Sequence, residues 1–163
     1  MTEPIRVLIL GTGTVGASIG LALRRAGDNF DRIGYDPRGK DAQEAHKAGA
    51  FDRVVQHPAK AAEADLVVMT LPPAQAVDFA GALAGSLRPE TVVLWTFHVQ
   101  AGWMENLRRT LGPDHPCLGT VPFLGPQRAL APDSEPDAPA ADRFDGGMLG
   151  IVRSEERRVG KRA

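Results

Sequence analysis

A chain of 163 residues with 43% apolar content can bury one sizeable core and is too short for two ordinary domains. Its formal charge of −1, with 24% charged residues, offers no basic excess for nucleic acid or anionic lipid, and nowhere do 18 uncharged apolar residues run together. The N-terminal MTEPIRV lacks a charged-then-apolar signal pattern and the single cysteine, Cys117, excludes an internal disulfide, so composition predicts a soluble cytoplasmic protein without membrane or nucleic-acid partners.

Residues 5–10 (IRVLIL) predict a strand buried on both faces and ending at Gly11. From Thr14 onward Val15, Ile19, Ala22 and Leu23 recur at helical spacing up to Gly27, which suits a helix C-terminus. Residues 32–35 (RIGY) predict a second strand ending at Asp36, and KDAQEAHKAG a helix that stops at Gly49. The stretch 64–71 (ADLVVMTL) reads as another buried strand, closed by Pro72 and Pro73 because proline cannot continue a sheet ladder. A helix over 74–86, a strand over 91–95 (TVVLW) and a helix over about 100–111 follow, the last with Trp103, Leu107 and Leu111 four apart. Strands alternating with helices of this length predict βαβ units, hence a doubly wound, mostly parallel α/β sheet of the Rossmann type.

The pattern changes after about residue 125. The run GPQRALAPDSEPDAPAAD holds prolines at 126, 132, 136 and 139 with little apolar periodicity, so 126–145 is expected to be a long mobile loop. GGMLGIV (146–152) predicts one last short strand. The final RSEERRVGKRA has five basic and two acidic residues and no apolar face, and is expected to be a disordered or foreign tail, which leaves 1–152 as the domain.

The glycines of ILGTGTVGASIG follow a strand and open a helix. In that context Gly11 allows the tight turn, Gly13 lets backbone approach a pyrophosphate, and Gly16 lets the helix lie close to the sheet. The amides of the helix's first turn and its dipole would hold the phosphates, with Thr12, Thr14 and Val15 completing the turn. Asp36, 20 residues beyond Gly16, can accept hydrogen bonds from the adenosine ribose. A carboxylate there favours NAD, while Arg38 keeps NADP open. Leu71 and Pro72, at the end of the strand over 64–71, are the remaining expected cofactor positions.

ILGTGTVGASIGLALRRAG, IGYDPRGKDAQEAHKAGAFDRVV and EADLVVMTLPP together resemble the N-terminal NAD(P)-binding domain of the prephenate/arogenate dehydrogenases of tyrosine biosynthesis. The resemblance runs on through LRPETVVLW, CLGTVPFLGP and ADRFDGGMLGIV, and so covers about residues 5–152. It implies an enzyme that oxidises a ring alcohol by hydride transfer to nicotinamide while carbon dioxide leaves. It also implies a following helical domain that makes a homodimer and closes the cleft over a small-molecule substrate. This sequence does not contain that domain, so a homodimer is expected only for a full-length version.

The resemblance departs where the reaction would be carried. A family stretch like TDVGSVK is matched by LWTFHVQ (94–100), which puts Trp95 at the aspartate, His98 at the serine and Gln100 at the lysine. The family's GGHPMAG, which carries the catalytic histidine, is matched by LGTVPFLG (118–125), with Val121 in the histidine's place; an isopropyl group cannot accept a proton. His98, beyond a strand's carboxyl end, is the candidate substitute base, and a histidine hydrogen-bonded within its loop is the alternative.

Elsewhere His46 reads as a solvated helix residue, and His57 and His115 as extended positions before proline. The histidines and Cys117 show no metal-ligand spacing. Ser18 and Ser86 lie in helical patterns with no neighbouring base, and LRR at 23–25 reads as a solvated charged face. Two function classes follow: an oxidoreductase of the prephenate dehydrogenase type represented by its cofactor domain, or a non-catalytic NAD(P)-binding protein. Reductases of another substrate class are a further alternative.

Overall fold

A computed structural model of the chain describes residues 3–152 apart from 62, 97–100, 113–114 and 131–136; the predicted tail, 153–163, lies outside the described residues. The strands are β1 (Ile5–Leu10), β2 (Phe30–Tyr35), β3 (Arg53–Val54), β4 (Leu66–Met69), β5 (Val92–Trp95), β6 (Cys117–Pro122) and β7 (Leu149–Val152). The helices are α1 (Thr14–Ala26), α2 (Gly39–Lys47), α3 (Pro73–Ala84), α4 (Ala101–Leu111) and the single turn α5 (Pro126–Ala129). The strands form one sheet in the order β3-β2-β1-β4-β5-β6-β7, parallel except for β7, which pairs antiparallel with β6.

β1 is central, and its side chains alternate between two cores as the period of two demands. Val7 and Ile9 pack with Ala17 of α1, Ala45 of α2 and Phe51. Leu8 and Leu10 belong to the opposite core, which holds Ala80 and Leu83 of α3 with Met104, Leu107 and Leu111 of α4. The doubly wound architecture expected from the alternation is therefore the observed one.

Several elements differ from their sequence reading. β3 and β6 emerge without a clear periodic signal, since β3 has only two residues and β6 mixes Gly119 and Pro122 into its run. The strand expected over 64–71 ends at Met69, and Pro73 opens α3 at its first position, where the missing N–H costs nothing. The inward stripe of α4 is Met104, Leu107 and Leu111, with Trp103 only half-buried beside it.

The long loop expected over 126–145 is not featureless: Pro126 starts a helical turn, and residues 137–147 are hydrogen-bonded to α1; residues 131–136 lie outside the described residues. His46 is not merely solvated, because its Nδ1 lies 2.9 Å from the Phe51 carbonyl oxygen. Arg25 pairs with Asp145 at 2.5 Å rather than standing free in water.

The α1, β2 and β3 layer is fastened by Arg32. Its side chain is 8% exposed, it binds Asp52 through Nε and Nη2 at 3.0 and 2.6 Å, and its Nη1 donates to the carbonyls of Gly20, Gly49 and Ala50. Partial burial pushes the Asp52 carboxyl up, but the hydrogen bonds and charge of Arg32 outweigh it and hold it below its usual value. Asp65 is likewise held low by the Arg6 amide and the Arg88 guanidinium.

Both carboxyls titrate lower in the folded chain, so their contribution is complete above the unfolded carboxylate pKa of about 4. It is lost as the pH falls through the folded values. The melting temperature is expected to hold steady from about pH 7 to 5 and to drop below about pH 4, with Asp52→Asn and Asp65→Asn flattening that acid limb. An acid limb equally steep in both variants would refute the assignment.

Among the described residues no helix is long and apolar enough to cross a membrane, and no group of three or more His, Cys, Asp or Glu is placed to hold a metal.

Candidate nucleotide-binding site

Connections leave β1 toward β2 and leave β4 toward β5, in opposite directions across the sheet, so a crevice opens at the carboxyl ends of β1 and β4. A groove of about 560 Å³ lies there. It is lined by six of the expected cofactor positions, Gly11, Gly13, Asp36, Arg38, Leu71 and Pro72.

The three glycines do different work. Gly11 has φ +99°, and a Cβ there would lie 2.6 Å from Thr70 Oγ1, so both conformation and space demand glycine. A Cβ on Gly16 would lie 1.9 Å from the Gly11 carbonyl oxygen, which shows how closely α1 rests on the turn. Gly13 is the opposite case: a Cβ there would meet no heavy atom within 4 Å. Nothing in the protein itself requires glycine at 13, and the open space lies directly before the α1 N-terminus.

That N-terminus has no side-chain cap and no acidic residue in its first turn. Its free amides and positive dipole end are left to attract an anion. Thr70 Oγ1 supports the turn from β4 by donating to the Leu10 and Gly11 carbonyls at 3.1 and 2.8 Å.

Asp36 is 6% exposed and is held by its neighbours. Its Oδ2 accepts the Thr12 amide at 2.8 Å and the Thr12 hydroxyl at 3.2 Å, and its Oδ1 accepts the Arg38 amide at 2.9 Å. A carboxylate offers about four lone-pair sites, so one remains for an incoming hydroxyl. Arg38 points into solvent, with its guanidinium 2.9 Å from Asp41 and 3.8 Å from Asp36.

The other expected positions take supporting places. Thr12 is buried beneath Asp36, Gly16 packs under the turn, Val15 is half-buried, and Thr14 turns its hydroxyl away to the Asp137 carbonyl. Sequence reasoning missed Thr70, Gln75 and Phe79, which also line the groove. Thr70 follows the strand beside β1, and Gln75 and Phe79 lie four apart on the helix that starts at Pro73, so strand order was the missing signal. The Phe79 ring meets Tyr35 edge-on with centroids 5.1 Å apart.

Toward β5 and β6 the described residues carry little acid–base chemistry. Trp95 is 1% exposed within the α3 and α4 core, and Val121 is half-buried in β6 opposite Gly150. His98 and Gln100 lie outside the described residues. Burial pushes the Cys117 thiol up to about 11, so it is no nucleophile at neutral pH.

Residues 19–137 match the family described as prephenate dehydrogenase, nucleotide-binding domain. The chain belongs to this family. The match starts after the glycine turn, so the part assigned to Gly11–Gly16 rests on geometry rather than on family membership.

A prephenate dehydrogenase of Lactococcus lactis subsp. cremoris is 34% identical over 67 residues, 41% of this chain and 19% of that protein. The crystal structure of prephenate dehydrogenase from A. aeolicus, in complex with hydroxyphenyl propionate and NAD+, shares the fold with TM-score 0.77 at 22% identity, over 95% of this chain and 52% of that one. Synechocystis arogenate dehydrogenase follows at TM-score 0.65 and 21% identity, over 74% and 41%. The chain thus spans about half the length, or less, of the solved members it matches.

Proposed function

We propose that the groove binds NAD+, and that the chain is the cofactor half of a dehydrogenase acting on prephenate, arogenate or a close analogue. The observation that carries the cofactor reading is Gly13, whose missing side chain leaves empty space in front of uncapped helix amides. That is the shape a pyrophosphate fills.

The residues present fit the group. The α1 amides would hold the phosphates, Asp36 Oδ1 would accept one ribose hydroxyl, and Leu71, Pro72 and Phe79 would offer apolar surface to the adenosine. When bound, the nicotinamide supplies a hydride acceptor. NAD+ over NADP+ is supported by the Asp36 carboxylate at the ribose end, and by Arg38 being engaged as counter-ion to two carboxylates.

A second reading, a protein that holds NAD+ without oxidising anything, is favoured by Val121, which stands where the family resemblance puts a histidine and cannot take a proton. His98 is the proposed substitute base.

Calorimetric titration with NAD+ and NADP+ tests the first part. Asp36→Ala is expected to weaken NAD+ at least about tenfold, the size of one hydrogen bond to a charged group, and NADP+ less. Equal losses for both would refute the ribose role, and failure of the parent chain to bind either would remove the cofactor reading. Assay of prephenate and arogenate oxidation by the full-length gene product, followed by nicotinamide absorbance, then separates the two readings, since the cofactor half by itself is expected to be inactive. Binding without turnover selects the non-catalytic one, and turnover that vanishes in His98→Ala selects the dehydrogenase.

A further inference from the structure

Residues 137–147, between α5 and β7, run along one flank of α1 and touch it at three points on a single stripe. Near the start of the helix the Thr14 hydroxyl donates to the Asp137 carbonyl. One turn on, the Ala140 amide donates to Ser18 Oγ at 3.1 Å, while that hydroxyl donates to the Thr14 carbonyl at 2.6 Å. At the far end Arg25 binds both carboxylate oxygens of Asp145 at 2.5 Å.

Behind this strap the Gly125 amide donates to the Arg143 carbonyl at 2.9 Å, and the Phe123 amide to the Met148 carbonyl at 2.9 Å, so the strap is fixed to the carboxyl end of β6 as well. Phe144 and Met148 line an apolar cavity of about 300 Å³ together with Ile19 and Leu23 of α1.

Ser18 is fully buried and is the junction of these bonds. Its hydroxyl is simultaneously acceptor from the strap and donor to Thr14, the first residue of the helix whose amides face the groove. We propose that Ser18 is a positioning residue for dinucleotide binding, coupling the 137–147 strap to the phosphate turn. The strap and the dinucleotide then stabilise each other. This rests on the reading of Gly11–Gly16 as a dinucleotide site. Coupling of this kind is reciprocal: a strap that steadies the turn raises dinucleotide affinity, and a bound dinucleotide shifts the strap's opening equilibrium toward the closed state by the same factor.

The test joins calorimetry with hydrogen exchange on the whole 163-residue chain, using NAD+ as the probe. In the parent chain NAD+ is expected to slow exchange of the Ala140 amide. Ser18→Ala is expected to speed that exchange, to abolish the protection by NAD+, and to weaken NAD+ about fivefold, at the low end of coupling between linked sites. Ser18→Thr, which keeps the hydroxyl, restores binding to within about twofold on the same scale. Arg25→Ala releases the strap's half-exposed far end without disturbing the core and is expected to weaken NAD+ in the same direction.

A merely structural serine would lower the melting temperature while leaving NAD+ affinity, measured well below melting, unchanged, and that result overturns the proposal. So does faster Ala140 exchange on adding NAD+ to the parent chain. If the parent chain binds no NAD+, the site reading fails at the first titration and the coupling with it. If it binds and Ser18→Ala binds equally well, only the coupling falls.

Discussion

Replacing Gly13 by valine is expected to abolish dinucleotide binding and to leave the chain folded. At φ −64° and ψ −170° the position has extended backbone that valine adopts readily. The new side chain would meet no protein atom within 4 Å of its Cβ. The stability cost is that of a poorer helix N-cap, about 1 kcal/mol. Its branches would fill the space before the first-turn amides, and a pyrophosphate excluded from them loses its charge-assisted hydrogen bonds together, a loss of more than about a hundredfold in affinity.

Gly16→Ala is the control with the opposite outcome. Its Cβ, 1.9 Å from the Gly11 carbonyl oxygen, must push α1 off the turn, so the expected loss is in thermal stability itself. Thermal melts and NAD+ titrations of the two variants side by side decide the matter. A Gly13→Val chain that binds NAD+ like the parent would remove the phosphate assignment.

Arg32→Met is expected to be strongly destabilising. The guanidinium supplies donors to Asp52 and to three backbone carbonyls, one within α1 and two in the turn before β3, and methionine supplies none. Removing one partner of a buried ion pair costs about 3–5 kcal/mol. The Asp52 side chain is 44% exposed and can rehydrate, which puts the expected loss near the lower end of that range, about 3 kcal/mol. Asp52→Asn, which keeps an acceptor for Arg32, is expected to cost about 1 kcal/mol, the scale of one hydrogen bond. The midpoint of urea unfolding measures both, and equal losses would mean that the carbonyl contacts contribute nothing.

The legible part of this protein lay in short stretches. IRVLIL carries the apolar run of a central strand, and the same six residues form β1, with Val7 to Leu10 fully buried. Gly11 and Gly16 were readable because a positive φ and a close helix approach each exclude every side chain, a demand that shows at the residue itself. Asp36 was readable as a groove residue from its distance to the turn. What could not be read was how the Thr12 amide, the Thr12 hydroxyl and the Arg38 amide together occupy most of its lone pairs, leaving one site for a ligand hydroxyl.

Proline carries two meanings for one physical reason. The loop expected from Pro126 onward begins instead with a helical turn, and Pro73, which closes off the preceding strand as expected, also opens α3 one residue ahead of the helix expected from 74, because a ring that fixes φ and lacks an N–H suits the first helical position as well as it suits a loop.

By itself the sequence determined the alternation of strands and helices, the glycine turn and its acidic partner, since each is written in periodicity or in the conformational needs of neighbouring residues. Only the tertiary structure decided that Arg32 joins α1 to the turn before β3, and that an apparently featureless proline-rich stretch is tied to α1. The partners in that second case stand 120 to 123 residues apart. Hydrogen bonds over such separations leave no local pattern in the chain, because what brings their donors and acceptors together is the packing of the sheet and α1 rather than anything nearby in sequence.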